Sequence, residues 1–457
     1  MKKIIYFIAT IVLLGGMVAC NDKDLDPTLA QDKDLESNVN TYEDLLGIIN
    51  GAYNRISGQT YYGRDYIIIN EVRSDNVYSN ANSNRFVKEG QMDLLPTESG
   101  SQWTQIYRVI GLANIVINQS GIQGDATKIN HLKGQAYAMR ALAHFDLVKL
   151  YGQQHVSGGD STLGVPYMTT FRDPSNYFPS RNTVTEVKNL AIDDLNTALT
   201  LMSASLNDVS KQTLTTNAVN AIKAKIALYF GDLPTARDAA LLVINSGDFS
   251  IVDENDLAST FSTDSAPNSV FEVAANATDN IGINGLANIY RGTSYGDIVG
   301  LQDLVDIYDA GDVRGGASFI STAGGEIRNI GKYPTMNTFD DNISVIRYEE
   351  VVLIYAEAIM VENPTLALTH LNSIPSKRGA TTYAAVTLDN ILLERRKEFA
   401  FEGMRFHDLA RTGKDIPLVD AINQTHGGVT YGAYNFAYPI PDLETGVNSN
   451  VVQNFGF

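Results

Sequence analysis

The sequence predicts a mainly α fold, built of helical repeats, with a large loop-rich insertion and few short strands. Three observations predict it. Apolar residues recur at three- and four-residue spacing through about 42–246 and again through about 345–411, which is the period of helices with one buried face. Between those blocks, from Gly247 to Asn342, glycine, asparagine and threonine interrupt short apolar runs and no helical period is sustained. Within the first block, Ala218–Tyr229 and Leu233–Ile244 are two helical patterns joined by Gly231-Asp232. There Gly231 can take a left-handed cap, Asp232 can cap the next helix, and Pro234 is tolerated in its first turn.

The elements follow in chain order. Thr41 is a good N-cap for a helix to Ile56, with Tyr42, Leu45, Leu46, Ile49 and Tyr53 in period. Ile67-Ile68-Ile69 reads as a short strand or a buried turn, and Asn80–Gly100 as polar loop. Trp103, Ile106, Ile110, Ala113 and Ile117 share one helix face, which makes the only tryptophan a core anchor rather than a sugar platform. Leu132, Ala136, Met139, Ala143, Leu147 and Leu150 mark a second long helix, ended by Gly152 as a left-handed cap. His131 and His144 lie on it thirteen residues apart without a neighbouring ligand, so they read as satisfied core or surface histidines. Thr183–Leu201 is again helical. Tyr229, Gly231-Asp232, Ala236 and Ala240 are spaced as in a tetratricopeptide repeat, whose units stack into a superhelix. In the insertion, Val270–Val273 reads as a strand and Leu301–Tyr308 as a short helix.

The last helices carry the most distinctive residues. The run from Val345, VIRYEEVVLIYAEAIM, is helical in period; Asn363-Pro364 breaks it, and Thr365 restarts a helix to Leu371. From Leu388 a charged helix carries Leu392, Phe399 and Phe401 for the core among Glu394, Arg395, Arg396, Glu398, Glu402 and Arg405. Arginine matches carboxylates bidentately, so this density reads as a partly buried ion-pair network that docks the helix. A catalytic carboxylate pair fits less well, because neighbouring arginines depress carboxylate pKa values and make poor general acids.

RYEEVVLIYAEA followed by ERRKEFAFEGMRFHDLARTGK resembles the paired signatures of the SusD/RagB family, surface lipoproteins of Bacteroidetes that act in outer-membrane nutrient uptake. EVRSDN at Glu71–Asn76, WTQIYRVIGLANIVI, LKGQAYAMRALAHFDLVKLYG and the closing Tyr438–Phe455 region are similar to the family at the corresponding places, so the resemblance spans nearly the whole chain. It implies a SusD-like fold: one composite domain over 42–457, with helical repeats at about 42–246 and 345–411 and an irregular ligand-binding part at about 247–344 and 412–457.

The N-terminus agrees with that implication. Lys2 and Lys3 precede an apolar run from Ile4 to Ala19, too short for a spanning helix and suited to a secretory signal over 1–19. Met17-Val18-Ala19-Cys20 reads as a lipobox that ends at the only cysteine, and residues 20–41 read as the lipidated residue and an acidic tether. Asp22, Asp24 and Asp26 alternate as in a calcium loop, but Pro27 occupies the glycine position and Lys33 the closing glutamate, so that reading fails. The expected location is the outer membrane, lipid-anchored and exposed at the cell surface, a position that acidic residues after the cysteine also suggest by their resemblance to the export signal of such lipoproteins.

Function classes narrow accordingly. A formal net charge of −18 argues against nucleic acid and against electrostatic adhesion to anionic lipid. The sequence has no HExxH, no histidine pair at ligand spacing, no cysteine cluster and no G-x-S-x-G, so no metal centre, cofactor or catalytic triad is expected. Paired carboxylates for glycoside hydrolysis are a spatial rather than a sequential feature, and 52 acidic residues leave that alternative open. The resemblance implies a binding protein that passes nutrient to a SusC-like TonB-dependent transporter, with an oligosaccharide as ligand or, alternatively, a peptide; a repeat scaffold without its own ligand is a third reading. A sugar platform would use tyrosines in irregular segments: Tyr61, Tyr62 and Tyr78 with Arg85, and Tyr290 and Tyr295 with Arg291. For any single tyrosine, pinning a loop to the helices is the plainer role.

Replacing Cys20 tests the anchor, since acyl chains rather than surface charge would hold the protein to lipid. Cys20→Ala is expected to abolish acyl labelling and release the protein from the membrane fraction; equal retention of the variant overturns lipidation as the anchor.

Overall fold

The structure, a computed structural model, describes residues 39–156, 158–292 and 294–457, so the expected signal peptide, Cys20 and most of the tether lie outside the described residues. Residues Thr41–Phe457 form one compact unit. Among the described residues no helix is long and apolar enough to cross a membrane.

Local sequence sets the helix ends. Helix α1 (Tyr42–Ile56) starts at a reciprocal capping box between Thr41 and Asp44. The three isoleucines at 67–69 are neither strand nor turn but lie in a short, fully buried helix, α2 (Asp65–Glu71), where tertiary burial overrides β-branched preference. Strand β1 (Val77–Ser79) and a one-turn helix α3 (Val87–Gln91) interrupt the expected polar loop. Two long helices follow, α4 (Gly100–Asn118) and α5 (Ala126–Tyr151), and both bury the predicted apolar face, Trp103 included. Gly152 ends α5 in an extended conformation (φ −76°, ψ 147°), not a left-handed one. Space accounts for the glycine there: a Cβ would sit 2.5 Å from the Val148 carbonyl oxygen.

Helix α6 (Val184–Leu201) opens on a second capping box, Thr183 with Glu186. Helices α7 (Thr216–Tyr229) and α8 (Leu233–Ser246) are joined as predicted, with Gly231 at φ 72° and the Asp232 side chain capping α8. From α4 through α8 consecutive helices pack on one another, and α1 packs on α4, as in stacked helical hairpins. Approach is close where side chains are small; a Cβ on Gly134 would lie 3.0 Å from the Ala198 carbonyl oxygen across the α5–α6 contact.

The insertion supplies most of the β-structure. Strand β2 (Ser269–Val273) precedes helix α9 (Leu286–Arg291), strand β3 (Ile298–Gly300), helix α10 (Gln302–Asp306) and strands β4 (Ile320–Ser321) and β5 (Arg328–Asn329). Val345 and Ile346 do not begin the next helix. They belong to β6 (Ile343–Arg347), whose apolar residues complete an antiparallel ladder with buried β2. The described strands form three two-stranded sheets, β1–β3, β2–β6 and β4–β5. Helix α11 (Tyr348–Ile359) then packs back onto α8, and α12 (Pro364–Asn372) onto α11. The helical stack therefore continues across the insertion.

The charged helix is shorter than predicted. Helix α13 ends at Glu398 (Leu388–Glu398), the chain turns through Phe401 (φ 69°) and Gly403 (φ 73°), and α14 (Arg405–Arg411) begins anew. The buried Glu71 carboxylate holds the turn by accepting the Phe401 and Gly403 backbone N–H groups at 2.7 and 2.9 Å. A one-turn helix, α15 (Asp442–Thr445), lies near the C-terminus.

The expected ion-pair network is present and lies in the core. Arg378, fully buried, bonds Glu349 at 2.8 Å and Glu398 at 3.0 and 3.1 Å. Arg347 reaches Glu398 at 2.7 Å and Glu402 at 2.8 Å, while Arg314 reaches Asp312, Glu394 and Glu398 at 2.7, 2.6 and 2.9 Å. Burial alone would raise the Glu398 pKa, but the guanidiniums of Arg378, Arg347 and Arg314 outweigh it and hold the group well below the carboxylate range.

Removing one partner of a buried pair strands the other, at a cost of about 3–5 kcal/mol. Arg378→Met is expected to lose stability of that order in urea titrations. Because the Glu398 pKa is depressed on folding, its stabilising contribution is present above its unfolded value of 4.5 and is lost as pH falls through its folded value. Glu394, raised by burial, offsets part of that slope. Glu398→Gln should therefore start less stable at neutral pH and lose less on acidification, measured as urea midpoints from pH 7 down to pH 3.

Candidate functional site

The candidate site forms where the first helical block meets the insertion. Strand β1 pairs antiparallel with β3, Tyr78 opposite Val299 and Ser79 opposite Ile298. The Asn80 backbone N–H continues the pairing by donating to the Asp297 carbonyl at 2.9 Å. Beyond it the chain folds back through Ala81 (φ 57°), Asn84 (φ 59°) and Phe86 (φ 58°). Asparagine tolerates this left-handed region better than most residues. The reversal is tied by Ser79 Oγ donating to the Arg85 carbonyl at 2.7 Å, and by Ser83, whose N–H and Oγ both donate to Asp297 at 2.7 and 2.6 Å.

The Arg85 guanidinium consequently lies 4.0 Å from the Tyr295 ring centre. It donates to Ser83 Oγ at 2.9 Å and to Asn284 Oδ1 at 3.1 Å, and stands 3.9 Å from Asp297. Arginine on a tyrosine face makes a rigid flat surface, worth about 0.5–1 kcal/mol when exposed. The exposed Asn82 side chain donates to the Tyr295 carbonyl, and Asn80 Nδ2 donates to Glu326 at 3.3 Å. Tyr78 is half-buried on the same strand pair, its hydroxyl pKa raised by partial burial and by the charge of Glu326. Two segments more than two hundred residues apart thus meet in a polar rim around one stacked pair.

Of the tyrosines singled out in the sequence, Tyr78 and Tyr295 belong to this rim, with Arg85. The other three do not lie in exposed loops. Tyr61 and Tyr62 are buried and, with Tyr66, donate to the single buried carboxylate of Asp146 on α5 at 2.5, 2.9 and 2.7 Å. A buried carboxylate needs several donors, and three phenols together with Lys149 at 3.0 Å supply them. Burial and the neighbouring charge of Asp146 push these hydroxyl pKa values well above 10. Tyr290 is also buried, its hydroxyl donating to the Phe401 carbonyl at 3.1 Å and its ring parallel to Tyr333. Arg291 is half-buried and donates to the Ile330 carbonyl. Sequence reasoning does not single out Asn82, Ser83, Asn284, Asp297 or Glu326; the asparagine-rich stretch Asn80–Asn84 signals only the first two.

The histidines of α5 are core groups. His144 accepts from the Met168 N–H at 2.9 Å, stacks on Tyr167, and is held neutral by burial, its pKa lowered to about 3. His131 is also buried and accepts from Ser203. Among the described residues no group of three or more His, Cys, Asp or Glu side chains is arranged to hold a metal ion.

The described residues thus form a stacked-helix scaffold that carries a polar rim. Comparison with known proteins defines the class. A family model described as "Starch-binding associating with outer membrane" matches residues 25–228, and the SusD family model matches 331–457. The chain is 26% identical to SusD-like protein P2 of Formosa agariphila over 99% of both chains. A SusD superfamily protein from Bacteroides vulgatus superposes with a TM-score of 0.83 at 28% identity, covering 92% of this chain and 99% of that one. A structure titled laminarin binding SusD-like protein superposes with a TM-score of 0.76 at 20% identity, over 92% of this chain and all of that one, which is a likeness of fold. The protein belongs to the SusD/RagB family, whose members are binding proteins and not enzymes.

Tyr290 separates structural from binding tyrosines. Tyr290→Ala empties a buried aromatic site and is expected to lower stability by about 3–5 kcal/mol in chemical denaturation, without acting on a ligand-facing ring. A variant of unchanged stability would contradict its core placement.

Proposed function

We propose that this protein is a cell-surface lipoprotein that binds an extracellular oligosaccharide at the Tyr78–Arg85–Tyr295 rim and delivers it to a SusC-like TonB-dependent outer-membrane transporter. The observation that carries the reading is the Arg85–Tyr295 stack, a flat face bordered by the amides of Asn80, Asn82 and Asn284 and by the carboxylate of Glu326. Pyranose rings present C–H faces that lie against aromatic rings and equatorial hydroxyls that exchange hydrogen bonds with such side chains. The family's association with starch binding at the outer membrane, and the laminarin that a structural neighbour is titled as binding, support a glycan over other ligands. The transporter and the Cys20 anchor rest on the family resemblance and on the lipobox. A lasting lid on a barrel would need an interface larger than the usual ~1,600 Å².

A screen of the soluble chain against glycan and peptide libraries tests the ligand class. Loss of the stack should remove about 1 kcal/mol, so Tyr295→Ala and Arg85→Ala should each weaken a glycan hit roughly fivefold. Unchanged affinity in both excludes the rim, and hits confined to peptides exclude the oligosaccharide. Co-purification of a barrel with the protein from native outer membranes tests the transporter.

A further inference from the structure

A concavity elsewhere in the fold shares no residue with the rim. It is a groove of about 530 Å³ bounded by the start of α4, the loop over 166–179, Arg55 at the end of α1 and Leu443 of α15. Small-ligand sites fall in the range of about 300–1,000 Å³. Its walls include the rings of Tyr107, Phe171 and Tyr177, with buried Trp103 behind them at 4.9 Å from Tyr107. Gly111 keeps the wall open: a Cβ there would come within 3.3 Å of the Phe171 ring.

Charge distinguishes this groove from the rest of the surface. The chain is strongly acidic, and most of its arginines are consumed internally; Arg140, Arg314, Arg347, Arg378, Arg395 and Arg411 are all held by carboxylates. Arg55 and Arg108 are both exposed, neither forms an ion pair among the described residues, and both line this groove, as does Arg172. Arg55 stands in the last turn of α1, where a cation also favours the helix dipole, but Arg108 is mid-helix and has no such role. One carboxylate lies among them, Glu444, which accepts from Asn448 at 3.1 Å. Thr170 also lines the groove, though its Oγ1 is itself buried and without a hydrogen-bond partner. Aromatic walls suit the flat faces of sugar rings, and the arginines call for a ligand that carries negative charge.

We infer that the groove is a second saccharide site, selective for acidic sugars: a short segment of two or three residues bearing carboxylate or sulfate. Arg55 and Arg108 would pair with the acid groups, and Tyr107, Phe171 and Tyr177 would face the rings. A flat protein interface fits less well, because the feature is a bounded concavity of oligosaccharide size. The inference does not depend on the rim binding a glycan.

Calorimetry on the purified chain tests it with trigalacturonate against its methyl ester, which keeps the skeleton and removes the charge, and with a heparin-derived tetrasaccharide. At least one acid should bind, trigalacturonate where it binds should exceed its ester, and Arg55→Gln/Arg108→Gln should weaken the acid roughly tenfold or more, the scale of one lost charge-assisted hydrogen bond. Tyr295→Ala should leave this binding unchanged, which separates the groove from the rim. Binding of neither acid, equal affinity for trigalacturonate and its ester, or an unaffected double variant overturns the inference. Both arginines are exposed, so the variant's thermal melting should match the parent and a lost affinity is not a folding defect.

Discussion

One buried carboxylate carries much of the architecture. Glu398 is the last residue of α13, and Arg314, Arg347 and Arg378 converge on it from the insertion, from the end of β6 and from the segment after α12. None of these four side chains could be buried alone, because an isolated ion in the core costs several kcal/mol. Glu349, Glu394 and Glu402 share these guanidiniums with Glu398, and directional hydrogen-bond geometry fixes the relative position of the segments they join. What the ions add to the apolar core is directional placement of these segments in one arrangement.

That arrangement lets a long irregular insertion interrupt a regular stack without disturbing it. Helix α11 meets α8 as though the chain between them were absent, and β2 pairs with β6 at the point of exit and return. Lys332 of the insertion donates to the carbonyl oxygens of Glu398 and Ala400 and ion-pairs with Glu402, so the insertion is clamped to the same cluster. On the far side β3 pairs with β1, and this second attachment creates the rim.

The regular part of this fold was legible in the sequence because its causes are local. Periods of three and four residues, Thr41 as a cap, and Gly231-Asp232 between α7 and α8 all act within a few residues. The dense Arg and Glu of α13 announced an ion-pair network, though not its partners. What was illegible depends on contacts distant in sequence. Tyr61 and Tyr62 look like loop aromatics until Asp146, more than eighty residues on, supplies the acceptor that draws them inward. The break between α13 and α14 lies inside a continuous helical pattern, because Glu71 imposes it from 330 residues away. Arg85 and Tyr295 were named in separate clusters, and only the β1–β3 ladder joins them.

The Glu71 clasp has a consequence for the order in which the protein can be completed. The stack from α1 to α8 consists of neighbours in sequence, and such contacts form early and quickly. Glu71 belongs to that early-made portion, yet the two backbone N–H groups that satisfy it arrive only with Phe401 and Gly403. Without them the carboxylate keeps one local side-chain partner, Asn76 at 3.0 Å, too few to offset its burial. A chain shortened before Phe401 is therefore expected to dock α2 less well than the full chain.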